Sequence, residues 1–229
     1  MIEAIVPAGV QVAEDLGESR GGILFPEEAA VVADAVATRR DEFAAVRGCA
    51  RRALARLGRR PAPLLPGPGG APIWPAGVAG SMTHCAGYRA AAVVDRSRLS
   101  SIGIDAEPDE PLPDGVRQLI ARPEELRRFS DLDAPGDRLL FSAKEAVYKA
   151  WYPLTRRWLD FDEVSVIPDV ATRRFDAFVL TAGPNEPRRF TGAWTTGAGL
   201  VLTACVPGPA SVLPSRTPGI GIPLPGGGS

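Results

Sequence analysis

Apolar residues recur every three to four positions between residues 26 and 57, which is the spacing of one face of an α-helix. Pro26 and the two glutamates after it are typical of a helix N-terminus, and Gly58 is typical of an end. We therefore predict helical structure here, with a break near Thr38-Arg39 that divides it in two. The residues expected to face the core are Phe43, Val46, Ala50, Leu54 and Leu57.

Short apolar runs bounded by glycine, proline and polar residues predict strands over much of the rest. These runs lie at 78–83, 88–95, 100–105, 162–167, 175–180, 190–195 and 198–206. Helical patterns predict helices near 115–121 and 123–129 and a longer one from about Asp137 to Trp151. The order, helix then strands and again helix then strands, predicts an α+β fold. Its two similar, largely antiparallel halves, residues 1–104 and 105–206, would meet near residue 105.

The composition narrows the class of protein. A net charge of −1 does not imply a general affinity for nucleic acid or membranes. Cys49, Cys85 and Cys205 are widely spaced, which favours free thiols in a cytoplasmic protein. The N-terminal segment lacks the pattern of a signal peptide, and no apolar run approaches membrane-spanning length. Residues 207–229 are dominated by proline and glycine and are predicted to form a disordered tail.

Lysine is rare in this chain. Of the 26 basic residues only Lys144 and Lys149 are lysines, and they flank Glu145 in "FSAKEAVYKAW". Codon bias explains an excess of arginine, but it does not explain why both lysines lie together. Because a compact ammonium and a planar guanidinium bind phosphate differently, we interpret the pair as a site signal.

The segment "SIGIDAEP" places two carboxylates, Asp105 and Glu107, on the same face of a predicted strand. Neighbouring carboxylates repel each other unless a positive group lies between them, and Mg²⁺ favours oxygen ligands of this kind. Glu145 is the natural third ligand. Solvated acids at a strand end are the ordinary alternative. For Glu145, the alternatives are a surface pair with Lys149 or a helix cap with Ser142.

The segment "GSMTHCAGY" contains the single histidine, His84, after Ser81 and Thr83. All three side chains can donate hydrogen bonds to a phosphate. Structural roles are the alternative for each of them. The helix after residue 38 carries many arginines, most of which we expect to face solvent.

Together, "GIDAEP", "FSAKEAVYKAW", "EFAAVRGCARRALARLG", "PIWPAG" and "GSMTHCAGYRAAAV" resemble the Sfp-type 4'-phosphopantetheinyl transferases, in particular their actinobacterial, enterobactin-type branch. The resemblance covers roughly residues 20 to 206. It implies two pseudo-twofold-related α+β halves with the active site at their junction. It also implies transfer of the 4'-phosphopantetheine arm of coenzyme A to a serine of apo acyl or peptidyl carrier proteins, releasing adenosine 3',5'-bisphosphate.

The resemblance also implies residue roles. Mg²⁺, or Mn²⁺, would be held by Asp105, Glu107 and Glu145, and Glu145 would act as the base for the serine. Lys144 and Lys149 would neutralise the diphosphate. The residues that match the grip on the 3'-phosphate are Arg39, Arg47 and His84, supported by Ser81 and Thr83. A monomer is expected.

Carrier domains are generally acidic near their modified serine, so residues 109–136 are the expected docking surface. This stretch carries four arginines beside two apolar residues. They are Arg117, Arg122, Arg127, Arg128, Leu119 and Ile120.

Two other functions fit parts of the sequence. A magnesium-dependent nuclease or phosphodiesterase also uses acids and a lysine, but the E-x-K spacing usual there is E-x-x-x-K here. An arginine-rich nucleic-acid-binding protein built on helix 39–60 is the non-enzymatic alternative. The net charge and the apolar stripe on that helix argue against it.

Overall fold

Two antiparallel sheets, each covered by one long helix, make up the protein, as the computed structural model shows for residues 1–17, 22–130, 132 and 135–209. Beyond residue 209 the predicted tail lies outside the described residues. The helices are α1 (Pro26–Val31), α2 (Ala37–Arg56), α3 (Val116–Ile120), α4 (Pro123–Arg128) and α5 (Gly136–Thr155). Short 3₁₀ turns lie at Ile2–Ile5, Pro68–Gly70 and Phe161–Glu163.

The strands divide between the halves as the sequence order predicts. The N-terminal sheet has the order β1-β3-β2, with β1 (Gln11–Leu16), β2 (Val78–Cys85) and β3 (Tyr88–Asp95). The C-terminal sheet has the order β4-β8-β7-β6-β5. Its strands are β4 (Gly103–Pro108), β5 (Val164–Asp169), β6 (Arg174–Val179), β7 (Arg189–Gly197) and β8 (Leu200–Pro207). All described pairings are antiparallel, so the predicted α+β class is confirmed.

The period of two along each strand sorts side chains into three apolar clusters. In β3, Ala91 and Val93 pack on α2, whereas Ala90, Ala92 and Val94 point into a core between the two sheets. β8 alternates in the same way between this central core and α5. Continuous apolar runs are therefore expected in both strands, because each strand is buried on both faces.

β4 follows the same alternation, and this places the predicted acids. Ile104 and Ala106 belong to the core between the sheets. Gly103, Asp105 and Glu107 therefore lie on the opposite face, toward α5. The strand was predicted at 100–105, which was wrong at both ends. It spans Gly103–Pro108, so both acids lie within it.

The predicted helical break is real but lies earlier. α1 ends at Val31 and α2 begins at Ala37, so the break spans residues 32–36 and not Thr38-Arg39. Val32 is 5% exposed, so this turn is held by burial of an apolar side chain and not by a polar cap. No helix among the described residues is long and apolar enough to cross a bilayer.

Gly103 sets how closely α5 can approach β4. A Cβ atom there would lie 1.8 Å from the Ala146 carbonyl oxygen and 2.8 Å from the Ala150 nitrogen. We expect Gly103→Ala to destabilise the protein by about 3 kcal/mol, because the helix must move away from the strand. This corresponds to a fall in Tm of roughly 6–12 °C, measurable by thermal unfolding.

Gly48→Ala is the matched control. Gly48 lies inside α2, and a Cβ there would meet only Arg52, at 3.8 Å. Alanine is favoured over glycine inside a helix by roughly 0.5–1 kcal/mol, so this variant should keep or raise the Tm. Equal losses in both variants would contradict the close-approach argument.

Candidate functional site

The three predicted acids lie at the seam between β4 and α5. Asp105 is 4% exposed on β4, and Glu145 is half-buried on the facing helix. Burial raises the pKa of Glu145, and the neighbouring charges of Asp105 and Glu107 raise it further. The pKa of Glu107 is raised by burial and then by Asp105. These shared influences show that the structure brings all three carboxylates into one electrostatic environment.

Two basic side chains already hold two of these acids. Lys149 Nζ donates to Asp105 Oδ1 at 2.6 Å, and an Arg138 terminal nitrogen donates to Glu107 Oε2 at 2.8 Å. Part of the positive charge that these neighbouring acids require therefore comes from the chain itself. Sequence reasoning missed Arg138, although it lies about two helical turns before Glu145 and hence on the same face of α5.

The predicted set of three metal ligands is not assembled as a closed site. Across the described residues, no group of three or more histidine, cysteine, aspartate or glutamate side chains is arranged to hold a metal ion. The physical reason is visible for two of the acids, because Lys149 and Arg138 each bind one of their oxygens. The other oxygen of Asp105, Oδ2, is buried and has no hydrogen-bond partner among the described residues.

Ser81 and Thr83 connect the two halves at this seam. The Ile104 N–H donates to Ser81 Oγ at 3.1 Å, and the Ala106 N–H donates to Thr83 Oγ1 at 3.1 Å. Thr83 also donates to Asp105 Oδ1 at 3.3 Å. The predicted phosphate donors therefore act, in this structure, as a side-chain joint between β2 and β4.

A cavity of about 550 Å³ opens beside the seam, between the two halves. Six of the predicted site residues line it: Arg39, Arg47, Ser81, His84, Glu145 and Lys149. Its other walls include the aromatic rings of Phe43, Trp74, Tyr148 and Tyr152, which sequence reasoning missed. A large, mostly apolar cavity with a few convergent charged groups is typical of a ligand site.

Arg39 and His84 lie at the N-terminal side of this cavity. An Arg39 terminal nitrogen lies 3.2 Å from His84 Nε2, and Glu42 lies 3.5 Å from both side chains. Burial lowers the pKa of His84, and the nearby charge of Arg39 lowers it further. Arg39 supplies a fixed positive charge, and a bound anion would favour the protonated form of His84, so the arrangement suits a phosphate.

Arg47 differs from its prediction. It is 5% exposed and donates to the carbonyl oxygens of Leu64 at 2.8 Å and Phe43 at 3.3 Å. Burial lowers its pKa to about 10. Arg47 therefore fastens the loop after α2 to the cavity wall, and much of its donor capacity is already used.

Lys144 is also placed differently from its prediction. Its ammonium donates to Ile120 O at 2.8 Å, Glu125 Oε2 at 2.8 Å and Phe161 O at 2.7 Å. Burial lowers its pKa from the ordinary value. The alternative reading of Glu145 as part of a helix cap was wrong, because α5 begins at Gly136, well before Ser142.

A second, narrower cavity of about 200 Å³ lies on the other side of Glu145. Glu145 and Tyr148 line both cavities, so the carboxylate stands where they adjoin. The remaining walls of the narrow cavity are Lys144, Trp158, Leu159, Asp160 and Phe161. The sequence analysis did not predict the wall formed by residues 158–161.

Comparison with known proteins agrees with this geometry. Residues 27–94 match the family model described as the 4'-phosphopantetheinyl transferase N-terminal domain, and residues 101–205 match the 4'-phosphopantetheinyl transferase superfamily. The chain is 49% identical to 4'-phosphopantetheinyl transferase Svp of Streptomyces mobaraensis, over 96% of this chain and 95% of that protein. It is 44% identical to the Npt enzyme of Nocardia iowensis, over 89% of this chain and 98% of that protein.

A third relative, 4'-phosphopantetheinyl transferase PptT of Mycobacterium tuberculosis, is 44% identical over 90% of this chain and 97% of that protein. The first family match ends at residue 94 and the second begins at residue 101, just before β4. These matches do not support the nuclease or nucleic-acid-binding alternatives.

We expect the charge of Glu145 at this seam to lower the free energy of unfolding. Because the folded-state pKa of Glu145 is raised, its ionisation disfavours the folded protein above the unfolded value of 4.5. We expect Glu145→Gln to have a higher Tm than the parent protein at pH 7–8 in the presence of chelator. The difference should shrink as pH falls toward 4.5, because the folded-state carboxyl is then protonated and little of the ionisation cost remains.

Thermal unfolding between pH 4.5 and 8 measures this. Glu186→Gln is the control, since the pKa of Glu186 is lowered by hydrogen bonds from Gly183 and Arg157. That variant should not gain stability with rising pH. A Glu145→Gln variant that is less stable at pH 8 would contradict an electrostatically strained seam.

Proposed function

The chain belongs to the 4'-phosphopantetheinyl transferase superfamily, and from this premise we propose how its two cavities and its charged seam perform the reaction. Enzymes of this family transfer the 4'-phosphopantetheine arm of coenzyme A to carrier proteins, and this chain is such a transferase. The observation that carries the proposal is the position of Glu145, which lines both cavities and faces Asp105 and Lys149.

Coenzyme A has two unlike ends joined by a diphosphate, and the site has two unlike cavities joined at Glu145. The larger cavity, with Arg39 and His84, suits the nucleotide end and its 3'-phosphate. The narrower cavity, lined by Trp158 and Phe161, suits the slender pantetheine arm. The diphosphate then lies near Glu145 and Lys149.

A divalent cation fits this seam. Asp105, Glu107 and Glu145 carry three negative charges, and Lys149 and Arg138 supply two positive ones. The buried Asp105 Oδ2 has no partner among the described residues and is free to serve as a ligand. We propose that these three acids hold Mg²⁺ or Mn²⁺ when the diphosphate completes the ligand set. When bound, the cation supplies charge neutralisation for the diphosphate.

The chain's own groups account for the proton and the charge. The raised pKa of Glu145 makes its carboxylate a stronger base, suited to accept the proton of the carrier serine directly or through a water. The serine oxygen forms a bond to the phosphorus that carries pantetheine, and the phosphorus–oxygen bond to adenosine 3',5'-bisphosphate breaks. Lys149 is placed to stabilise charge on that leaving group.

The segment between β4 and α5 supplies the proposed carrier-docking surface. Arg117, Arg127 and Arg128 are exposed, and Leu119 is 76% exposed. Ile120 is buried at 3% exposure, so its predicted contact with the carrier was wrong.

The transferase function predicts a specific product. Incubation with coenzyme A, Mg²⁺ and a panel of apo carrier domains should add one phosphopantetheine to at least one carrier, read by intact mass. Excess chelator should stop the reaction, and added Mg²⁺ should restore it. Asp105→Ala and Glu145→Ala should each lose transfer, whereas Arg157→Gln, at an exposed ion pair, should not. Full activity in excess chelator would contradict the metal role.

We expect Arg39 and His84 to bind the 3'-phosphate of coenzyme A. Coenzyme A lacking that phosphate should bind more weakly, by roughly 1.5–3 kcal/mol for a charge-assisted contact. The loss of binding free energy on removing the phosphate should be smaller in His84→Ala and in Arg39→Ala. Each of these variants already lacks one contact to that phosphate. Calorimetric titration of both nucleotides measures it. An unchanged penalty in both variants would place the 3'-phosphate elsewhere.

A further inference from the structure

All the hydrogen-bond donors of the Lys144 ammonium are satisfied inside the protein. An ammonium has three hydrogens, and Lys144 donates one each to Ile120 O, Glu125 Oε2 and Phe161 O at 2.7–2.8 Å. The side chain is 1% exposed. No donor of this group remains for the diphosphate, although the neighbouring Glu145 lines both cavities.

Its partner Glu125 is equally satisfied. Glu125 is 0% exposed and accepts the Val166 N–H at 2.8 Å and the Arg122 N–H at 3.0 Å, in addition to Lys144. The ion pair therefore connects the end of α3 and the start of α4 with helix α5. It also connects them with the 3₁₀ turn at Phe161–Glu163 and with β5. Removing one partner of a buried ion pair is strongly destabilising, whereas making both partners neutral often is not, so the two kinds of variant can be told apart.

We propose that Lys144 is a positioning residue which, together with Glu125, fixes the α3–α4 segment and the wall of the narrow cavity relative to Glu145. Ile120 ends α3 on the proposed docking surface, and Phe161 lines the narrow cavity, and both accept hydrogen bonds from the same ammonium. The pair thereby sets where a docked carrier serine meets the base. This inference rests on the proposed function and replaces the expected contact of Lys144 with phosphate.

Three variants separate a positioning role from phosphate binding. Lys144→Met leaves the Glu125 carboxylate buried without its counter-charge. Lys144→Met with Glu125→Gln makes the pair neutral and keeps an acceptor for Val166. Lys149→Met is the matched control, because Lys149 lies on the same helix but donates to Asp105 and lines the large cavity. Each variant is measured for Tm, for coenzyme A Kd without carrier, and for carrier KM and kcat.

Lys144→Met should lower the Tm by roughly 10 °C, and the double variant should recover at least about half of this loss. In the double variant the coenzyme A Kd should stay within about twofold of the parent, while the carrier KM rises about fivefold or more. Lys149→Met should show the opposite pattern in binding, with a coenzyme A Kd at least about tenfold weaker, as expected for a lost charged contact.

A double variant that regains its Tm but binds coenzyme A tenfold more weakly would show that Lys144 is a phosphate ligand. A double variant that regains no stability, or a carrier KM unchanged in both Lys144 variants, would also overturn the proposal. Failure of the proposed function is distinguishable, because the parent protein itself would then fail to bind coenzyme A. The Tm comparison does not depend on any carrier.

Discussion

The close contact of α5 with β4 is the constraint on which the site depends. Two carboxylates about 5 Å apart repel by about 3 kcal/mol at an effective dielectric of about 20, so such groups normally stay apart. Here Asp105 and Glu107 share one strand face, and Glu145 faces them from a helix that approaches as closely as Gly103 permits. Apolar packing of α5 on strands β5 to β8 provides the stabilisation that offsets this repulsion.

The same contact explains why so many basic residues surround the seam. Lys149 and Arg138 each neutralise one acid, and Thr83 donates to Asp105 from the other sheet. One negative charge and one buried oxygen are left over, which is the state that a cation and an anionic diphosphate together would complete. Lys149 and Arg138 therefore balance the charge of the three acids only in part.

Period-two and period-3.6 patterns could predict most of the fold, because buried strands and amphipathic helices leave clear signals. They could not place the break between α1 and α2, since burial of Val32 in the tertiary structure determines it. The seam acids were also predictable from their spacing, but their partners were only partly so. Arg138 was visible on the helical face of Glu145, whereas the cavity walls at Trp74 and Trp158 come from distant loops and depend on the assembled fold.

The two lysines show what spacing alone can decide. Residues five apart on a helix point about 140° away from each other, so Lys144 and Lys149 could not both face the diphosphate. Each nevertheless requires an ammonium. Lys144 meets three acceptors, and the five hydrogens of a guanidinium would leave two buried donors unsatisfied there. Lys149 binds Asp105 at 2.6 Å in the site proposed for the diphosphate. In a chain that uses arginine at every other basic position, lysine thus marks two sites where a compact charge is needed, one for architecture and one for chemistry.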